Sequence, residues 1–519
     1  MAPRLPQPRQ GRIVAFPSWR VLLSLWLLGL VSTLPYWSIY HDLDDEAVAT
    51  LGALRLLQGE LPYRDFASRA TVGIYFLAAP VLAVLGAGPL GTRLLMGVFH
   101  TTTGLLLYLI LHRLGQPRAG LAACLLWNLF ALHDYRILNY HWSAITFTTL
   151  CLYLALRWIL EGQSRWALAT GLAAAGALWQ LQSNGITALA MVALLWLRFR
   201  PAYLGRFVLS FVLAQVVIWV PWIGFWPEVV GSHFSSISRH VQFNSQAFSL
   251  APVLELGRGL SSLRFAQDPG LWLAAWSYWL DMALYTATFY PLLLGLPLLA
   301  EWRRDRQLQL LAYPGLGWAL TSGYCQTFNY LTYAAPVYLL ALCLLLTRIP
   351  RATVWLGLLA LGEFLGWGVR SWHLQQTYRH PVATRVGIYF AHDPVDALAM
   401  NQLHSWVSEH CPPGTPVLAY PYFARIYVHE QLRCPIPDSL LLPWLWDRRS
   451  FERALECLDS QSIPYIFHRV LPAEAVLADF PAIPAQEFRQ EMEYWNARIF
   501  QNYEPAASFG GIQVWRRKD

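Results

Sequence analysis

The feature that most constrains this chain is a series of apolar runs, each close to the length that crosses a lipid bilayer. The first runs from Val21 to Ile39, after a short segment containing four arginines. A hydrocarbon core about 30 Å thick needs roughly 20 apolar residues in helical form. Ten further apolar runs follow, at 90–112, 119–133, 142–159, 166–182, 185–197, 207–226, 276–300, 308–323, 331–347 and 352–369. The sequence therefore predicts an α-helical polytopic membrane protein with about eleven transmembrane helices.

The composition agrees with a membrane location. Of the 519 residues, 56% are hydrophobic and only 13% are charged, against about 25% charged in an average soluble domain. A chain so poor in charge cannot cover itself with polar surface. The net charge is +7, but the arginines lie in short loops and form no basic stripe, so we expect no nucleic-acid partner.

The short loops predict the orientation of the chain. Arg-rich connections alternate with Arg-poor ones, and cytoplasmic loops carry the excess of Arg and Lys. No small-residue cleavage site follows the first run, so we expect it to be retained as a helix with a cytoplasmic N-terminus. Counting the run 71–86 as a span would invert every later loop, so it is predicted as an interfacial helix on the outer side. These features favour a multi-pass protein of the cell inner (plasma) membrane.

The last part of the chain differs in character. We predict a transmembrane domain over 1–370 and an extracytoplasmic α/β domain over 371–519. Buried strands and amphipathic helices are indicated within the second domain, the strands at Val417–Tyr420 and Tyr465–His468 and the helices at 396–410 and 450–461.

Three of the seven cysteines fall in this outer domain, where oxidation is permitted: Cys411, Cys434 and Cys457. One disulfide, such as Cys411–Cys434, is compatible with the sequence. The odd count then leaves one thiol, and no spacing suggests a zinc site.

The most informative segment is the first outer loop, defined here as residues 41–89. Four acids fall within five residues, ending at Asp44, Asp45 and Glu46, and an amphipathic helix follows to Gln58. In one interpretation Asp44 or Asp45 caps that helix, since acids favour its positive end. In the other, the carboxylates provide a general base or part of a divalent-cation site.

Arginines follow the acids within the same loop. Arg55, Arg64 and Arg69 come in quick succession, and the guanidinium fork suits a phosphate group. Acids beside arginines at the lipid surface suggest an acidic lipid-phosphate substrate with a base close to it.

A second polar segment is the outer connection from His133 to His141. It holds two His, one Asp, one Arg and two Tyr in nine residues, between two apolar runs. Interfacial aromatic residues anchor helix ends, which would explain the segment without a function. Alternatively, these side chains complete a site opposite the first outer loop.

The order of these features resembles the GT-C glycosyltransferases, in particular the branch that holds protein O-mannosyltransferases and the lipid A aminoarabinose transferase. The features are a helix, Asp-Asp-Glu, an amphipathic helix, Gly-x-x-Pro-Tyr-Arg-Asp-Phe, an interfacial helix, and Gly88-x-x-x-x-Arg93 opening a span. The match covers about residues 19–200 by motif and the whole chain by layout. It implies a GT-C-like catalytic domain over 1–370 and a hexosyl or pentosyl transferase. Such an enzyme moves a sugar from a polyprenyl-phosphate carrier to a lipid, glycan or protein acceptor at the outer face.

The resemblance also implies roles for individual residues. Asp45, the first of the Asp-Glu pair, resembles the general base that deprotonates the acceptor, and Glu46 would support it or a cation. Arg69 sits where related enzymes often place a cation for the carrier phosphate, and Arg93 begins the next span at the same interface. A divalent cation, Mg or Mn, would be held by Asp45 and Glu46 if one is used.

Other positions also have counterparts in the GT-C family. Tyr63 and Arg64 belong to the loop motif and are candidates for substrate binding. Asn184 falls near a position that is basic in some relatives, and its neutrality puts that phosphate contact in doubt. The second outer acid is either replaced by His141, at the next helix start, or provided by Asp134, the one carboxylate in its loop.

The mechanism that the resemblance implies is direct displacement at the anomeric carbon with inversion. One base and a phosphate leaving group suffice, so the second acid of a glycosidase is not required. Two other classes remain open. A secondary transporter or lipid flippase would need broken helices near the bilayer midplane. In this sequence only the break at 182–185 suggests one. A non-catalytic assembly or sensor protein would function without Asp45.

Overall fold

The chain is described by a computed structural model. It describes residues 16–40, 43–68, 71–129, 137–231, 285, 288–289, 291–322, 334–437, 448–471 and 485–518. The first nine helices are α1 Trp19–Thr33, α2 Leu43–Leu57, α3 Gly73–Leu85, α4 Pro89–Arg113, α5 Pro117–Leu129, α6 Tyr140–Glu161, α7 Ser164–Gln180, α8 Gln182–Phe199 and α9 Leu204–Trp219. Later helices are Pro291–Trp302, Arg306–Ser322, Ala335–Leu346, Ala352–Thr377, Pro394–His410, Arg425–His429, Arg448–Ser460 and Ala485–Phe500.

The apolar helices form a multi-pass membrane bundle. Within the described ranges, five helices are long and apolar enough to cross a membrane: Trp19–Tyr36, Pro89–Arg113, Tyr140–Glu161, Leu204–Gly231 and Ala352–Thr377. The predicted run at 276–300 is described as a helix only from Pro291. The total of eleven spans therefore stays a prediction.

The Arg-rich loops meet at one end of the bundle. Ion pairs connect them to one another or to the helix ends beside them: Arg113–Glu161 and Arg157–Glu161, both at 2.6 Å, Arg198–Glu301 at 2.8 Å and Arg348–Asp305 at 2.9 Å. This arrangement agrees with the predicted alternation of Arg-rich and Arg-poor loops along the chain. The assignment of that end to the cytoplasm stays a prediction.

Two kinds of helix build the bundle. The middle of the bundle is formed by α4 and α6, whose side chains are mostly buried, including Trp158 at the end of α6. By contrast, α9 and the helix Ala352–Thr377 expose large apolar side chains such as Val217 and Leu365. An exposed apolar face of this extent fits contact with lipid.

The first outer loop folds as two helices packed on each other. A Cβ on Gly52 of α2 would lie 2.5 Å from the Tyr75 ring of α3, so only glycine permits this approach. Helix α2 ends at Leu57, and Gly59 follows in the left-handed region at a φ of +85°. The predicted amphipathic helix and the helix predicted at 71–86 are both present. The structure contains no membrane, so the interfacial position of α3 stays a prediction.

The described part of the C-terminal region contains two small sheets. The strands β1 His380–Thr384 and β2 Gly387–Ala391 form an antiparallel hairpin. A second sheet has the order β3-β4-β6-β5, with β3 parallel to β4 and the other pairs antiparallel. Its strands are β3 Val417–Tyr420, β4 Tyr465–Arg469, β5 Tyr503–Phe509 and β6 Ile512–Arg517. The strands and helices predicted here are present; the division at 370/371 stays a prediction.

The C-terminal region packs directly on the first outer loop. Ala47 and Leu51 of α2 share a hydrophobic core with residues of the larger sheet such as Ile466. The backbone of β2 also bonds to the segment before α2, with Tyr40 N–H donating to Phe390 O at 2.9 Å. Helix α2 thus lies between the bundle and the C-terminal sheet.

Two expectations from the sequence are corrected. Helix α2 begins at Leu43, so Asp44 and Asp45 lie inside its first turn rather than at its cap. The Cys411 thiol is buried and forms no disulfide, so the pair Cys411–Cys434 is not made. Burial in an apolar core raises the pKa of Cys411 to about 11, which keeps the thiol protonated.

Candidate functional site

The candidate site is built on the first turn of α2, where Asp44, Asp45 and Glu46 are consecutive. Successive residues of an α-helix point about 100° apart, so the three carboxylates face three different surroundings. Asp44 and Glu46 are buried, with 3% and 4% of their surfaces exposed. Asp45 is half-buried and keeps access to the surface.

Asp44 faces the C-terminal region. Its Oδ1 accepts the backbone N–H of Arg425 at 3.0 Å, and its Oδ2 accepts from Arg469 Nη1 at 3.1 Å. The Arg425 side chain lies 3.8 Å from Oδ2. Burial and the neighbouring Arg425 lower the pKa of Arg469. Asp44 therefore neutralises two adjacent, partly buried cations.

Glu46 faces the membrane bundle. Its Oε2 lies 2.8 Å from Arg93 Nη2, and both side chains are almost fully buried. Arg93 lies near the start of α4, one turn after its first residue, Pro89. This ion pair fixes α2 to the start of α4, as expected if Arg93 belongs to the same interface as the acids.

Asp45 lies between these two buried contacts. Its Oδ1 accepts a hydrogen bond of 2.7 Å from the Tyr422 hydroxyl of the C-terminal region. Because a hydroxyl donor is neutral, this contact orients the carboxylate without adding a charge. Asp45 thus combines a defined orientation with partial exposure, the combination that a proton acceptor needs.

An aromatic and histidine cluster lies behind the acids. The Tyr389 ring stacks on His429 at 4.8 Å and meets the Tyr40 ring edge-on at 6.0 Å. Burial raises the pKa of Tyr40 to about 12. Burial, with the nearby cations Arg425 and Arg93, holds the pKa of His429 well below its usual value. The Tyr389 and His429 side chains of this cluster are buried.

The loop motif after α2 is folded back on itself. Tyr63 is buried against Trp219 and Trp222, and its N–H donates to Phe66 O at 2.6 Å. Arg64 is exposed and donates to Asp65 at 2.5 Å. Of the two residues of this loop motif that were predicted to bind substrate, Arg64 is therefore at the surface and Tyr63 is buried.

The other predicted site residues are placed as follows. His141 is in the first turn of α6, where the Asn139 side chain caps the helix by accepting its N–H at 3.0 Å. Asn184, in α8, donates to Thr148 Oγ1 at 3.2 Å inside the bundle. Arg69 and Asp134 lie outside the described residues. The roles predicted for all of these residues stay predictions.

A divalent cation held by Asp45 and Glu46 stays a prediction. Asp44 and Glu46 are each bound to arginine, so protein cations already balance these carboxylates. Over the described ranges, no group of three or more His, Cys, Asp or Glu side chains is placed to hold a metal ion. We therefore derive no chemical step through a metal at Asp45 and Glu46.

Sequence reasoning missed the contribution of the C-terminal region to this site. Tyr422 lies two residues after the end of β3 and Arg469 ends β4, and these two strands are parallel. The carboxyl ends of parallel strands lie at one sheet edge, which is where functional side chains gather in α/β sheets. Polar residues after two predicted strands were thus a signal that could have identified them.

Comparison with known proteins shows the fold. No protein-family model matches the sequence, and no curated protein matches it. The structure is similar to ArnT from Cupriavidus metallidurans in the apo state, with a TM-score of 0.56, 11% identity and 96% of each chain covered. It is also similar to the same ArnT bound to undecaprenyl phosphate, with a TM-score of 0.51, 12% identity and 96% of each chain covered.

A weaker similarity links the chain to the Archaeoglobus fulgidus oligosaccharyltransferase, with a TM-score of 0.47 and 12% identity over 96% of this chain and 73% of the other. The likeness to ArnT, at a TM-score above 0.5, shows the fold of this chain. It extends over both the membrane bundle and the C-terminal sheets, because nearly the whole chain is covered.

Proposed function

We propose that this protein is a glycosyltransferase that moves a sugar from a polyprenyl-phosphate carrier to an acceptor hydroxyl at the outer face of the membrane, with Asp45 as general base. The observation that carries the proposal is the triplet in the first turn of α2. Two of its acids are buried in ion pairs, whereas Asp45 is oriented by Tyr422 and partly exposed. The GT-C fold supports this reading, since one neighbour was crystallised with undecaprenyl phosphate.

The proposed reaction is a single displacement. Asp45 accepts the proton of the acceptor hydroxyl while the acceptor oxygen attacks the anomeric carbon of the donor. The bond from that carbon to the phosphate oxygen breaks, and the polyprenyl phosphate leaves with the bonding electron pair. The configuration at the anomeric carbon inverts because attack and departure occur on opposite faces.

The arginines would have two roles, binding the donor phosphate and holding α2 in place. Arg69, three residues after Phe66, would neutralise the leaving phosphate, since a guanidinium matches phosphate oxygens in a bidentate manner. Arg64 is exposed and accessible to an anionic headgroup. Arg93 would act indirectly, through its contact with Glu46, by holding α2 in place.

The second polar segment would lie on the acceptor side. His141 opens α6, and Asp134 belongs to the connection before it. Either could contact the acceptor. Tyr63 and Asn184 would support the walls of the site, because both are buried in the structure.

The alternative function, a secondary transporter or lipid flippase, has less support. A transporter of that type uses broken helices and ionisable groups near the bilayer midplane. Here the ionisable cluster described above sits on α2, outside the helices long enough to cross a membrane. Transfer of the sugar to an acceptor, rather than movement of an intact carrier, distinguishes the two functions.

The test is transfer of radiolabelled sugar from a panel of synthetic polyprenyl-phosphate sugars, with purified full-length protein and membrane-extracted acceptors. Wild type is compared with Asp45→Asn and with Asp459→Asn, a matched change at an exposed carboxylate of the C-terminal region. A general base contributes about 10² to 10⁴ in rate, so Asp45→Asn should lose that factor while Asp459→Asn keeps wild-type activity.

Carrier binding, measured with polyprenyl phosphate in detergent, should be retained by Asp45→Asn. Equal turnover of wild type and Asp45→Asn would place the base elsewhere, with Asp134 tested next. Failure of both proteins to bind any carrier would contradict a lipid-linked donor.

A further inference from the structure

The C-terminal region reaches the acidic turn of α2 through one short segment. After β3 the chain turns at Tyr422 and enters the helix Arg425–His429. Tyr422 donates to Asp45 at 2.7 Å, and three residues later the backbone N–H of Arg425 donates to Asp44 at 3.0 Å. Two adjacent acids of α2 are thus held from the same turn.

Tyr422 is held in an unfavourable backbone conformation. Its φ is +47°, in the left-handed region that non-glycine residues rarely adopt. Such conformations persist where surrounding contacts fix them, and they concentrate at functional sites. The residue with this strained backbone, Tyr422, is also the residue whose hydroxyl donates a hydrogen bond to Asp45.

Arg469 supplies the contact that fixes Tyr422. Its Nη1 lies 3.2 Å from the carbonyl oxygen of Tyr422 and 3.1 Å from Oδ2 of Asp44. One guanidinium therefore links the backbone of Tyr422 to the neighbouring acid. Since β3 and β4 are parallel and paired, the positions of Tyr422 and Arg469 are set by the same sheet edge.

We propose that Tyr422 is the positioning residue for the base of the proposed transfer reaction, so that the C-terminal region completes the active site. The Tyr422 hydroxyl fixes the rotamer of Asp45 and stabilises its charged form, and Arg469 with Asp44 holds Tyr422 in place. This inference rests on the proposed function. It adds that the site is assembled from two regions separated by more than 370 positions in the sequence.

Within the described ranges, charged and titratable groups beside the acidic turn of α2 come from three elements. Asp44 and Glu46 flank it on α2, and Arg93 approaches from α4. Tyr422, Arg425 and Arg469 approach from the C-terminal region. Because all except Tyr422 are unchanged by a Tyr422→Phe substitution, that variant isolates the hydroxyl.

The experiment compares wild type, Tyr422→Phe and Tyr494→Phe by the pH dependence of sugar transfer. Tyr494 is exposed in the same region and serves as the matched control. Loss of a hydrogen bond to a carboxylate raises its pKa, so the acidic limb of the kcat/KM profile should move up by about one pH unit in Tyr422→Phe. The plateau kcat should fall about tenfold, while the affinity for polyprenyl phosphate stays at the wild-type value.

A second variant gives an independent result. Arg469→Lys keeps a positive charge near Asp44, but the lysine side chain ends one bond short of Nη1, the atom that contacts both Asp44 and the Tyr422 carbonyl. It should shift the acidic limb in the same direction as Tyr422→Phe, by a smaller amount. A shift in both variants, without a shift in Tyr494→Phe, supports the positioning role.

The outcomes separate this inference from the proposed function. An active wild type, an inactive Asp45→Asn and a Tyr422→Phe profile that superimposes on wild type would overturn the positioning role alone. Full activity of Asp45→Asn would overturn the base assignment and this inference together. A parallel fall in carrier affinity and thermal stability of Tyr422→Phe, with no shift of the acidic limb, would show that Tyr422 is structural.

Discussion

Two acid–arginine pairs that involve the first outer loop have the same chemistry but differ in their exposure to water. Glu46 and Arg93 are 2.8 Å apart with side chains 5% and 2% exposed, and they join α2 to α4. Arg64 and Asp65 are 2.5 Å apart with side chains 42% and 31% exposed, and they join neighbours in one turn. A buried pair leaves an uncompensated charge when one partner is removed, whereas an exposed pair is solvated by water. Two ion pairs with similar distances are therefore expected to differ in their contribution to stability, because one is buried and the other is exposed.

The largest effect is expected from breaking the buried pair. Arg93→Met removes the cation and leaves Glu46 buried without its partner, so the free energy of unfolding should fall by about 3 to 5 kcal/mol. The measurement is denaturation of the detergent-solubilised protein. The double variant Glu46→Gln/Arg93→Met, which removes both charges, should recover a large part of that loss.

A loss below about 1 kcal/mol in Arg93→Met, similar to that of a surface pair, would contradict the comparison. It would mean that water or another group replaces the guanidinium.

An intermediate effect is expected at Asp44. Asp44→Asn keeps an oxygen for the backbone N–H of Arg425 but removes the charge that balances Arg425 and Arg469. Loss of a charged hydrogen bond in a buried site costs about 1.5 to 3 kcal/mol, so the free energy of unfolding should fall by that amount.

Asp459→Asn, at an exposed carboxylate, is the control for Asp44→Asn. If both variants unfold at the same midpoint as wild type, the contact between α2 and the C-terminal region does not contribute to stability.

The contrast also shows what the sequence could predict. The apolar runs predicted most of the membrane helices, and the amphipathic pattern predicted α2 as far as Gln58, one residue beyond its observed end at Leu57. Those patterns are local, because they report which face of an element is buried. They contain no information on the partner across that face.

The partners of the acids lie far away in the chain. Glu46 meets Arg93, which the order of motifs placed at the same interface. Asp44 and Asp45 meet Arg469 and Tyr422, which only the register of β3 and β4 brings to the site. The acids and Arg93 were therefore singled out from the sequence, whereas the contacts of Tyr422 and Arg469 with the acids are known only from the tertiary structure.

Burial should also make stability depend on pH through His429. Burial holds its pKa well below the usual value of 6.5, so the folded state keeps the ring neutral while the unfolded state becomes protonated as pH falls below 6.5. The stabilising contribution is thus present above 6.5 and is lost on acidification, by at most about 1.4 kcal/mol per pH unit for one group.

The measurement for His429 is the free energy of unfolding at pH 7.5 and 5.5. His429→Phe keeps a ring against Tyr389 and removes the titration, so its loss of stability between these two values should be smaller than that of wild type. An identical loss in both proteins would assign the acid sensitivity to other groups, such as His468, whose pKa burial also lowers.

The smallest effect on stability is expected at the exposed pair. Arg64 lies at the surface, and its contact with Asp65 is made in water, so Arg64→Ala should leave the unfolding midpoint unchanged. Asp65 still accepts the N–H of Leu61 at 2.7 Å in this variant, which keeps the turn closed. Because Arg64 is exposed, its loss should instead raise KM for the donor of the proposed reaction, a polyprenyl-phosphate sugar. A fall in the midpoint as large as that of Asp44→Asn would show that exposure is not what distinguishes the two pairs.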